Sequence, residues 1–191
     1  MDQKRFALSR VSALKLAMTA LMAAMVFLFS YISIPIPNPL LVTRVHLGNV
    51  MCLLSGLMLG GPLGGAAAGV GSFLFDLFDP VYITSAPFTL VFKFLMAFIC
   101  GIVAYSCGRK GRHIGFNILG GILGSAAYVV LHISKVFLVA VWFNKVAVPT
   151  ALFSAGSSAL VSLVNAVLAV AIAIPLCFAL KKALQKARIE L

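Results

Sequence analysis

Long apolar segments with few charged residues follow one another along this chain, and they restrict the folds open to it. Of the 191 residues, 62% are hydrophobic and 10% are charged, whereas a soluble domain is about half apolar and a quarter charged. Backbone polar groups in lipid need internal partners, which leaves helices or closed barrels. A barrel would need alternating segments of about ten residues, but these runs are continuous. We therefore predict an all-α integral membrane protein.

The length of the chain sets the number of helices. At roughly 20 residues per spanning helix, it has room for about six helices and none for a soluble domain. The first apolar run is too long for the apolar region of a signal peptide and lacks a clean cleavage site, so we assign it to a helix. We predict a single membrane domain over residues 1–191, with a six-helix bundle at about 11–34, 47–59, 63–78, 86–105, 114–143 and 151–180.

Lysine and arginine predict the orientation of this bundle. Eleven of the 15 basic residues lie in the N-terminal stretch, in the loop after the fourth helix, or in the C-terminal tail. With six spans these three segments share one side, and the opposite loops carry only Arg44 and Lys145. The positive-inside rule then places both termini in the cytoplasm. The net charge of +11 therefore reflects membrane orientation, and we predict no nucleic-acid partner.

Motifs for catalysis and metal binding are absent. The chain has no Walker loop, GxSxG or HExxH sequence, and only four acidic residues. Its four cysteines have no metal-ligand spacing and three lie in apolar runs, so we interpret them as small packing residues. We expect no catalytic residues, no metal and no cofactor of its own.

Small residues and prolines mark two further features. An alanine face recurs on the first helix with spacings of four, three and four, which suits either packing within the bundle or contact with a partner subunit. Pro35, Pro37 and Pro39 force residues 34–45 into an extended path, as a lid over a site or as a connector on the membrane surface. The alanine face consists of Ala13, Ala17, Ala20 and Ala24.

Polar residues inside the apolar helices converge at one depth, counted at 1.5 Å per residue. Charged groups in a membrane usually face a bundle interior or a water-filled cavity, so we predict a pocket in the outward half of the bundle, roofed by the proline loop. We predict substrate binding by Arg44, His46, Lys93, His132, Lys135, Ser158 and Asn165.

Each of these groups also has a structural interpretation. Asp76 and Lys93 could form an ion pair between the third and fourth helices, His132 could be a packing residue, and the serines of the last helix could bond only to backbone. Lys135 has no acidic residue within reach in the sequence, so it favours an anionic ligand. The pocket is net basic, which predicts a ligand with a carboxylate or another acceptor-rich group.

Four segments together resemble the substrate-binding S components of energy-coupling factor (ECF) vitamin transporters. They are the alanine face, the proline loop, LMLGGPLGGAAAGVGSFLFDLF at 57–78 and APFTLVFKFLMAFICGIV at 86–103. Asp76 and Lys93 occupy the aspartate and lysine positions of the family pattern, while Ala97 stands where glycine is common. Their order and spacing carry the resemblance.

The resemblance implies a high-affinity binder of a water-soluble vitamin or related micronutrient. The first helix would dock on a transmembrane coupling subunit, and two cytoplasmic ATPases would use the ATP. Substrate identity does not carry over. The basic pocket favours pantothenate, folate or lipoate, while riboflavin, pyridoxine or a thiamine precursor stay open. The alternative is a self-contained small channel or a membrane scaffold without ATPase coupling.

Overall fold

The computed structural model describes residues 13–37 and 42–187. The basic residues of the N-terminal stretch up to residue 12, and Arg188, which we used to predict the orientation, lie outside the described part. Helices make up 85% of the structure. The helices are α1 (Ala13–Ser30), α2 (Gly48–Leu59), α3 (Gly61–Phe78), α4 (Ala86–Tyr105), α5 (Ile114–Leu138) and α6 (Val148–Lys186), and the strands are β1 (Ser33–Pro37) and β2 (Val42–His46). Short 3₁₀ turns flank α4, and a π-helical turn, Val139–Phe143, continues α5.

Four helical stretches of the described chain are long and apolar enough to cross a membrane. They are Ala13–Ser30, Ile83–Gly108, Ile114–Phe143 and Val148–Lys186. α2 has only 12 residues, of which all but Leu59 are buried. A helix this short fits the membrane because it is enclosed by protein. The predicted helical membrane fold is thus confirmed.

The proline segment forms an antiparallel hairpin, which the all-α prediction missed. α1 was predicted to reach residue 34, but it ends at Ser30 and the chain enters β1 at Ser33. Ser33 pairs with His46 and Pro35 pairs with Arg44. The prolines exclude a helix here. They impose an extended conformation, and the resulting strand β1 pairs with β2. The residues between the strands, including Pro39, lie outside the described part.

Glycines let the backbones of α2, α3 and α4 touch. A Cβ placed on Gly64 of α3 would lie 2.6 Å from Gly56 Cα and from Ser55 O in α2. Similarly, a Cβ on Gly101 of α4 would lie 2.8 Å from Gly60 O, at the turn between α2 and α3. The Ser55 hydroxyl crosses the same contact and donates to Gly64 O at 2.9 Å. Close approach of this kind stabilises helix pairs in lipid, where apolar burial does not distinguish protein from bilayer.

Side chains from α4 and α6 satisfy the carbonyls at the end of α2. The last carbonyls of a helix have no partner within the helix. The Tyr105 hydroxyl donates to Met58 O at 2.5 Å, and the Lys181 ammonium donates to Leu57 O at 2.9 Å. A cation at a helix C-terminus also interacts favourably with the helix dipole. These contacts allow α2 to end inside the protein.

The last helix is longer than its apolar run. α6 was predicted at about 151–180, but it starts at Val148, with Pro149 in its first turn, and continues to Lys186. The prediction ended where the lysines begin, because it followed hydrophobicity. Lysine and glutamine are good helix formers, so the helix continues past the apolar segment.

The glycine contacts predict a clear difference between two identical substitutions. Gly64→Ala places a methyl group against the α2 backbone and should lower stability by about 1–3 kcal/mol. Gly156→Ala in α6 meets open space and should be neutral or stabilising by up to about 1 kcal/mol. Thermal unfolding of both purified variants in detergent measures the difference, and equal stability would contradict the packing described here.

Candidate functional site

A cavity lies where the hairpin meets the ends of α3, α4, α5 and α6. Six of the seven residues predicted to bind substrate line it: Arg44, His46, Lys93, His132, Lys135 and Asn165. Ser158, the seventh, is fully buried and lies outside this lining, whereas Ser162, one turn further along α6, belongs to it. Whether these residues bind a ligand stays a prediction.

Lys93 lies at the floor of the cavity among neutral partners. Its side chain is only 3% exposed, and its ammonium donates a hydrogen bond to Asn49 Oδ1 of α2. The Lys93 Nζ atom also lies 3.7 Å from the centroid of the Tyr128 ring. The same ring stacks with the His132 ring, with 5.7 Å between the centroids. Tyr128 therefore links the buried cation to the histidine.

Asp76 and Lys93 do not form the ion pair that was one interpretation of the sequence. Both residues are described, yet no salt bridge joins them; the Asp76 carboxylate accepts a hydrogen bond from the Thr89 side chain. Asp76 is 7% exposed. The two charges therefore face the same cavity with separate neutral partners.

Lys135 lies in the last turn of α5 and also lines the cavity. Its ammonium donates to the Ser85 hydroxyl at 2.6 Å and lies 5.4 Å from the centroid of the Phe88 ring. No carboxylate of the described chain pairs with it. That it binds an anion or an acceptor-rich group stays a prediction.

Arg44 and Asn165 attach strand β2 to the rest of the cavity. The Arg44 guanidinium pairs with the Asp79 carboxylate at 2.7 Å and lies 3.9 Å from the centroid of the Tyr82 ring. Asn165 Oδ1 accepts from His46 N at 3.0 Å, and Asn165 Nδ2 donates to Arg44 O at 2.8 Å. Both side chains are thus engaged by protein, although both border the cavity.

Aromatic residues form much of the lining, and sequence reasoning missed all of them. They come from α3, the α3–α4 turn, α4 and α5, and the chain holds 15 phenylalanines and four tyrosines with nothing local to distinguish these. The one signal in the sequence is the spacing of four between Phe88 and Phe92, which places these two rings on one face of the helix that carries Lys93. The aromatic lining consists of Phe75, Tyr82, Phe88, Phe92 and Tyr128.

The electrostatics of the cavity are net positive. Arg44, Lys93 and Lys135 line it together with Asp76, and Asp79 outside the lining pairs with Arg44. At the edge of β2, burial lowers the pKa of His46 well below its usual value, and the nearby charges of Lys93 and Arg44 lower it further. The described residues contain no cluster of three or more metal-ligating side chains.

A cavity with an aromatic lining and a few convergent charged groups, inside a helical membrane bundle, has the character of a small-molecule site. The model of the family described as "ECF-type riboflavin transporter, S component" matches residues 10–182. The chain therefore belongs to this family of ECF S components, as its resemblance indicated. It is a multi-pass protein of the cell membrane.

A comparison with curated proteins found an uncharacterized protein of Pyrococcus woesei. It is 35% identical over 94 residues, which are 49% of this chain and 62% of that protein. The chain thus matches less than two thirds of the length of this relative. No solved structure matches the chain significantly.

The low pKa of His46 predicts acid sensitivity of the ligand-free protein. Below about pH 6.5 the unfolded chain binds a proton that the folded histidine does not, so stability is complete above that pH and falls as the pH drops. The loss reaches at most about 1.4 kcal/mol per pH unit for one group. His46→Gln should therefore lose less stability than the native protein between pH 7 and pH 5 in thermal unfolding.

The control for this experiment is His113→Gln, because His113 is exposed at the start of α5, away from the cavity. It should keep the native dependence of stability on pH. If His46→Gln also keeps it, His46 is not the buried neutral group described here.

Proposed function

We propose that this chain is the membrane-embedded, high-affinity binding subunit for uptake of a flavin-type vitamin, with riboflavin as the first candidate. The observation that carries the proposal is the aromatic lining beside the two lysines that lack a carboxylate partner. Planar rings pack well against phenylalanine and tyrosine, and a few placed polar groups fix a ligand in a mostly apolar pocket. The family match to riboflavin S components supports the same choice.

The polar groups of the cavity suit the carbonyl and hydroxyl groups of a flavin-type vitamin. Riboflavin combines a planar ring bearing carbonyl groups with a chain of hydroxyl groups. Lys93 and Lys135 supply donors for carbonyl oxygens, while Ser162 and Thr89 can exchange hydrogen bonds with hydroxyls. A carboxylate-bearing vitamin is the second candidate, because the Lys135 ammonium donates to the neutral Ser85 hydroxyl, pairs with no carboxylate of the described residues, and lines a cavity that is net positive.

We propose an orientation with both termini in the cytoplasm and the cavity towards the outside. The basic residues support it, since Arg109, Lys110 and Arg112 and the lysines at the end of α6 all lie at the end of the bundle opposite the hairpin. The cavity then opens on the side from which a nutrient arrives. The polar lining is confined to the hairpin end, which argues against a continuous channel.

We propose that energy comes from an ECF coupling subunit and two cytoplasmic ATPases. On this proposal the chain is not an enzyme and needs no cofactor of its own, because ATP is used by the partner subunits only. Support comes from α1, whose small-residue face is exposed on the bundle surface and is free to pack against another helix. The exposed alanines are Ala13, Ala17, Ala20 and Ala24.

Thermal stability of the purified chain with a panel of vitamins tests the ligand. A compound that binds only the folded state adds about 4 kcal/mol at a thousandfold excess over Kd. Riboflavin should give the large shift, and pantothenate, folate and lipoate little or none. A shift with a carboxylate vitamin alone would select the second candidate, and no shift with any vitamin in folded protein would favour a scaffold.

The α1 face gives a second prediction. Ala20→Trp should abolish vitamin uptake by cells while leaving ligand binding to the purified chain unchanged, because the bulky ring blocks close helix contact without touching the cavity. Ile122→Trp is the matched control, since Ile122 is 52% exposed on α5; it should leave both uptake and binding intact. Normal uptake by Ala20→Trp would remove α1 as the docking helix.

A further inference from the structure

A side chain of α6 forms hydrogen bonds with strand β2, at the edge of β2 that faces away from β1. Asn165 accepts from the His46 N–H at 3.0 Å and donates to the Arg44 carbonyl at 2.8 Å. An amide group that both accepts and donates in this way substitutes for a neighbouring strand. Asn165 itself is only 5% exposed, and both hydrogen bonds are part-buried.

The pairing of the hairpin explains why β2 needs this partner. Pro35 of β1 stands opposite Arg44 and has no N–H to donate. In an antiparallel pair, residues alternate between exchanging both backbone bonds and exchanging none. Because Arg44 O and His46 N bond to α6, Pro35 falls at a position where its missing donor costs nothing. The polar backbone groups of Arg44 and His46 would be left without partners if Asn165 were removed, which is costly for buried groups.

A second attachment holds β2 from the other side. The Arg44 side chain reaches Asp79 and Tyr82 in the turn between α3 and α4. The paired side chains are 16% and 23% exposed, so water reaches this contact more easily than the Asn165 amide. The two attachments therefore differ in kind: the one on α6 bonds to the main chain of β2, and the one on the α3–α4 turn bonds to the Arg44 side chain.

We propose that Asn165 is a positioning residue for ligand binding, which holds β2 as a wall of the cavity through the β2 main chain. This proposal rests on the proposed function, in which the cavity binds the vitamin. Asn165 acts through the strand, because the oxygen and one N–H of its amide are already bonded to backbone. When the wall moves, Thr43, Arg44 and His46 move with the strand.

Hydrogen exchange of the ligand-free protein tests this role without any substrate. Asn165→Leu removes both bonds, and the amides of Ile34, Ile36, Thr43 and Val45 should exchange about tenfold faster. These amides make no contact with Asn165, so their faster exchange reports movement of the hairpin as a unit. Faster exchange at His46 alone, or no change, would overturn the proposal.

Asn165→Asp is a second variant that keeps the test decisive if Asn165→Leu fails to fold. The carboxylate keeps the acceptor for the His46 N–H but loses the donor for the Arg44 carbonyl. Its exchange in the hairpin should lie between those of the native protein and Asn165→Leu. If Asn165→Leu is unfolded, native-like exchange in folded Asn165→Asp would overturn the proposal.

Binding kinetics separate a positioning role from direct contact with the ligand. With riboflavin in stopped flow, Asn165→Leu should bind and release the vitamin faster, each by about tenfold, because a looser wall lowers the barrier in both directions. Lys135→Met, a variant of a proposed ligand contact, should speed release and leave association unchanged. Faster release alone in Asn165→Leu would mean that Asn165 contacts the ligand. Absence of riboflavin binding in the native protein would defeat the proposed function, while the exchange experiment would still decide the role of Asn165.

Discussion

Direct contact between the backbones of α2, α3 and α4 is the constraint on which the other features depend. In lipid, helices associate through packing and hydrogen bonds and gain little from apolar burial, so the glycines at 56, 64 and 101 bring these helices together. The contact encloses the short α2, whose final carbonyls then need Tyr105 and Lys181. At its other end α2 presents Asn49 to Lys93. The floor of the cavity is thus a consequence of the same packing.

The cavity keeps Lys93 and Asp76 in the bundle without pairing them directly with one another. Lys93 lies between an amide and an aromatic ring, and Asp76 accepts from Thr89. Ionisable groups at such depths are costly and are retained where they act on ligands. On the function proposed here, the aromatic lining provides area for a flat ring and the lysines provide donors. Strand β2 completes this site through an α6 side chain, so the wall of the cavity and the binding groups are held by separate elements.

Sequence reasoning succeeded where position along a helix decides the outcome. Lys93, His132 and Lys135 were placed at one depth by counting residues, and they line one cavity. It failed where the outcome depends on the rotation of a helix about its axis or on contacts between distant residues. Ser162 lines the cavity and Ser158 does not, because the rotation of α6 against its neighbouring helices decides which serine faces the cavity. The Arg44–Asp79 pair and the Asn165–β2 bonds join residues 35 to 121 positions apart, and no local pattern encodes them. The prolines predicted an extended conformation for this segment, but the pairing of β1 with β2 follows only from the fold.

The most direct measurement of the central claim is a crystal structure of the chain bound to riboflavin. Our account predicts the flavin ring among Phe88, Phe92 and Tyr128, polar contacts from Lys93 or Lys135, and Asn165 still bonded to the backbone of β2. The account would be contradicted by a vitamin bound elsewhere, for example in the apolar groove lined by Leu21, Met25 and Leu176 between α1 and α6. It would also be contradicted by a vitamin that takes the place of β2 on the Asn165 amide.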